Sequence, residues 1–398
     1  MTPRERLFNA LEGQPTDQVP VWLLFPYHRT GYYVDVRNHK GYRRVFDHAR
    51  RRGVISLDRR NLGVRLHTDE VAYENAEIAT PEGTVRRHTI RYDDVHLYSE
   101  QPGGKKLLAS DEDLEAFCSL PIQEDEREIN RTLQAHLPQY LTEREEFPAE
   151  CGATMLDLGS PINTLYHAAD LGIYPIWSLT HRAVVEDWLD RRMRQLEAVY
   201  RFCLENDLAD VYFLVGSELA APPMVSRETF QRWVVPYEKR LIDHVHAYGK
   251  RVIQHYHGQI REILPDFLHM APDGLHTIEA PPIGNCTLSQ AYDATQETIT
   301  LIGNIQYDDF RSATPDEMKT LVHQTLHEAA GRPFILSPTA GPFDESPPQQ
   351  LFDNYIAFIN AATEKVRASE APPPPPPAPP PPPPAPPPPT PPPPPPPP

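Results

Sequence analysis

The strongest constraint on this chain is a rhythm. Six short apolar runs follow one another in its second half: "TMLDLGS" (154–160), "VYFLVGSE" (211–218), "RVIQHYHG" (251–258), "GLHTIEAPP" (274–282), "ITLIGNIQ" (299–306) and "FILSPTAGP" (334–342). Each ends in polar or glycine-rich residues, and helical patterns separate most of them. Strands alternating with helices give βαβ units and a parallel sheet. Two earlier runs, "PVWLL" (20–24) and "VISLD" (54–58), raise the count to eight. Eight strands predict a (β/α)8 TIM barrel, whose functional residues gather at the C-terminal ends of the strands. A doubly wound sheet is the alternative, but no GxGxxG follows an early strand.

The intervening segments carry helix signals. "TPRERLFNALEG" reads as a short helix, with Thr2 as N-cap, Pro3 in the first turn and Gly13 at the stop. In "SRETFQRWVVPYEKRLIDHVHAYGK", Phe230, Trp233, Val234, Tyr237, Leu241, Val245 and Tyr248 recur at helical spacing, with Gly249 at the end and a kink expected at Pro236. Residues 60 to 105 alternate about the turn Pro81-Glu82-Gly83, predicting an antiparallel hairpin excursion from the barrel. The barrel domain is placed at 1–368, and 369–398 is a polyproline low-complexity tail. Proline there excludes helix and sheet, leaving a disordered, polyproline II-like extension of roughly 3.1 Å per residue. Such a tail suits a WW or EVH1 type of reader, and has no Lys or Arg to orient an SH3 ligand.

The formal charge of −17 falls entirely outside the tail's prolines and argues against nucleic acid as a partner. The four cysteines, Cys118, Cys151, Cys203 and Cys286, show no CxxC spacing and read as buried thiols in a reducing, cytoplasmic setting. No signal-peptide pattern or run of membrane-spanning length is present. P-loop, GxSxG and HExxH motifs are likewise missing.

The candidate chemistry sits at strand ends. His255 and His257 share one side of a strand because strand side chains alternate. Two imidazoles on one face are the start of a transition-metal site, zinc being the natural occupant, or a polar clamp without metal. Glu279, at the end of the next run, is the third candidate ligand and a candidate acid or base, and Glu218 a fourth. Asp157 is a further catalytic candidate. Asn304 follows Gly303, where backbone can approach a ligand closely, and Arg29 and Tyr33 follow the first strand, where an arginine can clamp a substrate carboxylate. Tyr256, between the histidines, is expected to face the helix layer.

These blocks resemble the uroporphyrinogen decarboxylase superfamily, which spans porphyrinogen decarboxylases and corrinoid-dependent methyltransferases. "MTPRERLFNALEGQPTDQVPVW", "FQRWVVPYEKRLIDHVHAYGKRVIQHYHG", "EAPPIGNCTLSQA", "LIGNIQ" and "FILSPTAGP" carry the resemblance across about residues 1 to 365. It implies the (β/α)8 fold and makes a homodimer plausible. The decarboxylase branch reads like PVWxMRQAGRY after its first strand. Here Phe25 stands at the first of those arginines, Arg29 matches the second, and Asp69 is a poor match to that branch's aspartate. The methyltransferase branch holds zinc with an HxC pair and a later cysteine. Here His255 matches, His257 replaces the first cysteine and Ala340 the second, so that Glu279 or Glu218 would complete a harder N/O site. The resemblance thus implies a divalent metal, a small methyl donor, and a methyl group passed to a corrinoid on a separate protein, since no DxHxxG block occurs. The competing expectations are a tetrapyrrole decarboxylase of porphyrin biosynthesis, and a non-catalytic barrel whose tail recruits a partner.

Overall fold

The computed structural model describes residues 1–81 and 83–364. The region Met1–Lys365 forms one compact unit, and the proline tail lies outside the described residues. Seven parallel strands form one sheet: β1 (Ser56–Arg60), β5 (Gly152–Asp157), β6 (Val211–Val215), β7 (Arg251–Tyr256), β8 (Gly274–Thr277), β9 (Thr300–Ile305) and β10 (Phe334–Pro338), in that spatial order. The eighth place is filled by two residues of "PVWLL". Val21 bridges Leu336 on β10 and Trp22 bridges Ile55 beside β1, both in parallel sense, so the curled sheet closes on itself. The expected TIM-type barrel is observed, with one stave reduced to a pair of bridges.

Alternation sorts the side chains. Trp22, Leu24, Ile55, Leu57, Ala153, Met155, Val211, Phe213, Ile253, Ile302 and Ile335 form one apolar cluster, the barrel lumen. The helix Pro3–Leu11 adds Leu7, Ala10 and Leu11 to it and plugs the N-terminal end of the lumen. Gly274 makes room for that plug: a Cβ there would lie 3.2 Å from Leu11 and 2.8 Å from Ile302. Thr2 and Glu5 complete a reciprocal capping box, worth about 1 kcal/mol. Arg4 anchors the helix through two 2.8 Å bonds to Asp210, just before β6. Each fully buried aliphatic or aromatic side chain in this lumen contributes roughly 1.5–3 kcal/mol.

Two expectations change in detail. The excursion is a three-stranded antiparallel sheet, β2 (Ala72–Thr80), β3 (Gly83–Tyr92) and β4 (Val95–Gln101), rather than a single hairpin. The long helix is broken instead of kinked: Arg227–Trp233 ends, Val234 leaves helical geometry, and Val235–Ala247 begins anew with Pro236 in its first turn. Proline has no N–H to donate, so the first turn of a new helix accommodates it. Gly249 follows that helix in the left-handed conformation, as its placement predicts. Among the described residues no helix is long and apolar enough to cross a membrane. All four cysteines are unpaired, and Cys118, Cys203 and Cys286 are buried.

Candidate active site at the barrel mouth

Above the apolar layers the alternation continues into polar residues. Arg59 follows Leu57, Asp157 follows Met155, His255 follows Ile253, and Ser337 follows Ile335. His276 is the register partner of His255 across β7 and β8. The polar ends of the apolar runs therefore meet in one layer at the C-terminal mouth.

The histidines form a directed chain. His276 Nε2 lies 2.9 Å from the Pro338 carbonyl, and its Nδ1 lies 2.6 Å from His255 Nδ1. His255 Nε2 lies 3.0 Å from His257 Nε2, and His257 Nδ1 lies 3.2 Å from Glu279 Oε1. A carbonyl only accepts, so Nε2 of His276 carries its proton and Nδ1 offers a lone pair. His255 must then donate from Nδ1, leaving its Nε2 lone pair aimed at His257. Burial, with the neighbouring His257, lowers the pKa of His276 to about 3. Burial, with His276, His257 and Arg59 nearby, holds His255 well below the ordinary range. Both rings are neutral at pH 7. Burial also works against charging His257, but the Glu279 hydrogen bond and the charges of Glu279 and Glu218 outweigh it and raise its pKa. The gap between the two Nε2 atoms is thus a slot for one cation, a proton on His257 or a shared metal ion.

Glu279 stands behind His257. Its Oε1 accepts a hydrogen bond from His257 Nδ1 and its Oε2 accepts from the Gly258 N–H at 2.6 Å. Burial opposes ionisation of Glu279, but these bonds and one from Thr339 lower its pKa overall. In this arrangement Glu279 orients the His257 ring from behind. Among the described residues no three His, Cys, Asp or Glu side chains are grouped as a ready metal cage. Glu218 has a buried Oε2 without a hydrogen-bond partner among the described residues, and burial raises its pKa.

The other candidates separate. Asp157 is held by Arg59, whose Nε donates at 3.1 Å. Arg59 Nη1 also reaches the Tyr33 hydroxyl at 3.3 Å, and its guanidinium lies 5.2 Å from the Phe213 ring. Tyr33 and Asp157 thus meet at the mouth through Arg59, which lies just past the apolar run that marks the strand. Arg29 does not join them: it is 63% exposed and faces exposed Glu345 at 3.9 Å. Asn304 donates to the Ile278 carbonyl at 3.1 Å. The close backbone approach expected at Gly303 is to the neighbouring strand, because a Cβ there would lie 2.1 Å from the Thr277 carbonyl oxygen. Tyr256 faces the helix layer as expected and donates to Glu238 Oε2 at 2.9 Å. Glu238, also unforeseen, is fully buried and accepts from Ser217 at 2.5 Å and Gln254 at 2.6 Å as well.

A curled parallel barrel with a polar constellation at its C-terminal mouth defines an enzyme of TIM-barrel type. The uroporphyrinogen decarboxylase (URO-D) family model matches residues 157–364, and the chain belongs to that family. Among solved structures, a methyltransferase from Methanosarcina mazei is similar, with 16% identity over 91% of this chain and 98% of that one, at a TM-score of 0.56. A B12-independent methionine synthase from Shewanella sp. W3-18-1, in complex with selenomethionine, is also similar, with 11% identity over 89% of this chain and 96% of that one, at a TM-score of 0.42. No curated protein matches.

Proposed function

We propose that this URO-D family enzyme is a metal-assisted methyltransferase of O-demethylase type, passing a methyl group from a small donor to a corrinoid on a partner protein. The observation that carries the reading is the convergence of two imidazole Nε2 atoms to 3.0 Å, each ring fixed from behind by an acceptor. Nitrogen ligands about 2.0–2.1 Å from zinc span a similar separation. The donor set therefore fits a divalent ion of zinc type, with His255 and His257 as ligands and the Glu218 oxygen, whose charge acts on His257, as a further carboxylate candidate. A metal held there supplies Lewis acidity to the atom that surrenders the methyl group.

The chain's own groups do the rest. The Pro338 carbonyl and His276 keep the His255 lone pair facing the mouth. Glu279 keeps the His257 proton on Nδ1, freeing Nε2. Arg59, Asp157 and Tyr33 form a polar wall that can orient a donor's heteroatom. The decarboxylase alternative has less support. A polycarboxylate needs unpaired cationic groups, whereas Arg59 is already paired with Asp157 and Arg29 lies out on the surface.

The test is metal analysis of purified protein alongside corrinoid-linked demethylation across a panel of methyl ethers, thioethers and amines. Stoichiometric metal that disappears in His255→Ala and His257→Ala, with loss of demethylation, is the expected result. Metal-free protein that turns over uroporphyrinogen would refute the proposal.

A further inference from the structure

The N-terminal end of the barrel, opposite the histidines, carries a cleft of about 530 Å3. That volume falls within the roughly 300–1,000 Å3 typical of small-molecule sites. One wall is the segment joining the helix Pro3–Leu11 to the reduced stave, with Pro15, Val19 and Pro20. The other is the turn between the helix Pro315–Glu328 and β10, with Leu326, Ala330 and Pro333. The walls converge where a Cβ on Gly13 would lie 3.8 Å from the Pro333 ring. Three prolines with fixed φ keep these walls in place without a ligand.

The polar groups of the cleft are donors more than acceptors. The carbonyls of the three prolines are already spent: Pro15 accepts from Asn9 at 3.2 Å, Pro20 from the Leu336 N–H at 2.9 Å and Pro333 from the Tyr292 hydroxyl at 2.9 Å. Of the described residues lining the cleft, one is a cation, Arg332, and none is acidic, within a chain of net charge −17. Arg332 is half-buried. Its guanidinium lies 4.5 Å from the centre of the Tyr292 ring, and its Nη2 caps the Glu328 carbonyl at 2.9 Å. The Glu328 carboxylate is turned instead to the Ser289 N–H at 3.0 Å. Stacking and the capping bond hold the guanidinium in one place. Its Nε and Nη1 are left without an acceptor among the described residues.

We infer that this cleft binds a small carboxylic acid with an apolar body, its carboxylate on Arg332 and its hydrocarbon between the proline walls. A carboxylate supplies the acceptors and the negative charge that Arg332 lacks. The cleft also straddles the seam of the barrel, because Pro20 and Val21 join Leu336 on β10 there. A ligand touching both walls ties the reduced stave to β10 and stabilises the folded chain by mass action. The cleft lies at the opposite end of the strands from the His255–His257 pair, so it stands whether or not that pair holds a metal.

The test is thermal unfolding of the full chain titrated with sodium hexanoate and sodium benzoate. Hexanamide, benzamide and sodium chloride at equal ionic strength are the controls. The expected result is a Tm rise that follows a one-site curve with at least one acid and is absent with its amide. Arg332→Met loses the rise, and Arg332→Gln gives the same comparison should the methionine variant not fold. Ala330→Phe, which fills the cleft and leaves the cation in place, loses it as well. A His255→Ala/His257→Ala double variant keeps it, which separates this cleft from acid binding at the mouth. The inference is overturned if neither acid gives a saturable rise or if the amides match the acids. It is equally overturned if either the Arg332 variants or Ala330→Phe respond as wild type does, or if the double histidine variant loses the response.

Discussion

The sharpest prediction concerns Glu279→Gln. Glu279 is 4% exposed and uses both oxygens, Oε1 for the His257 Nδ1 proton at 3.2 Å and Oε2 for the Gly258 N–H at 2.6 Å. Glutamine keeps one acceptor and turns an NH2 toward the other donor. The variant loses one charge-assisted bond and leaves one buried N–H facing another. A lost bond to a charged group costs about 1.5–3 kcal/mol, and about 1.4 kcal/mol corresponds to a factor of ten in an equilibrium constant. Zinc affinity should therefore fall roughly 10- to 100-fold, the usual range for losing a carboxylate behind a ligating histidine. Competition titration against a chromophoric chelator reads the affinity, with circular dichroism and Tm confirming that the variant is folded. A folded Glu279→Gln protein that binds zinc within about twofold of wild type would refute the view that Glu279 holds His257 for the metal.

Three further outcomes follow from other parts of the structure. Glu238→Leu strands the hydroxyls of Ser217 and Tyr256 and the amide of Gln254, and at about 1–3 kcal/mol per unsatisfied buried donor should lower the urea midpoint markedly, with Glu238→Gln milder. His67 has its pKa lowered to about 4 by burial and by Arg65, Arg192 and Arg191, so the unfolded chain takes up its proton first as the pH drops. In chloride buffers stability should fall between about pH 6.5 and pH 4 by up to roughly 3 kcal/mol, and urea titrations of His67→Gln should show a shallower acid slope. Gly303→Ala puts a methyl 2.1 Å from the Thr277 carbonyl oxygen, a backbone atom that cannot swing away. It should lower Tm strongly and reduce metal binding together, because β8 and β9 must separate beside the site.

What was legible in the sequence was the boundary within each strand, where lumen packing gives way to polar chemistry. That transition is local, so Ile253 to His255 and Met155 to Asp157 could be read directly. Arg59 lies just beyond the apolar run "VISLD", but β1 runs to Arg60 and the alternation from Leu57 reaches it. Glu238 shares its helix with the buried Tyr237, Leu241 and Ile242, and its three donors come from β7 and from the turn after β6, so no spacing within the helix announces them. Asn304 and Arg29 carry local signals of ligand contact, yet in the structure Asn304 donates to the Ile278 carbonyl and Arg29 lies exposed facing Glu345.

His276 is the most instructive omission. Its run "GLHT" looks like an ordinary buried strand, and the partner that gives the ring its role is a carbonyl 62 residues further along, on β10. That carbonyl fixes which nitrogen of His276 is protonated, and His276 in turn fixes which nitrogen of His255 is free. The lone-pair orientation of the recognisable HxH pair thus depends on a residue that shows no metal-ligand spacing of its own. The histidine pair can be read from local alternation, but its protonation state follows from closure of the sheet around it.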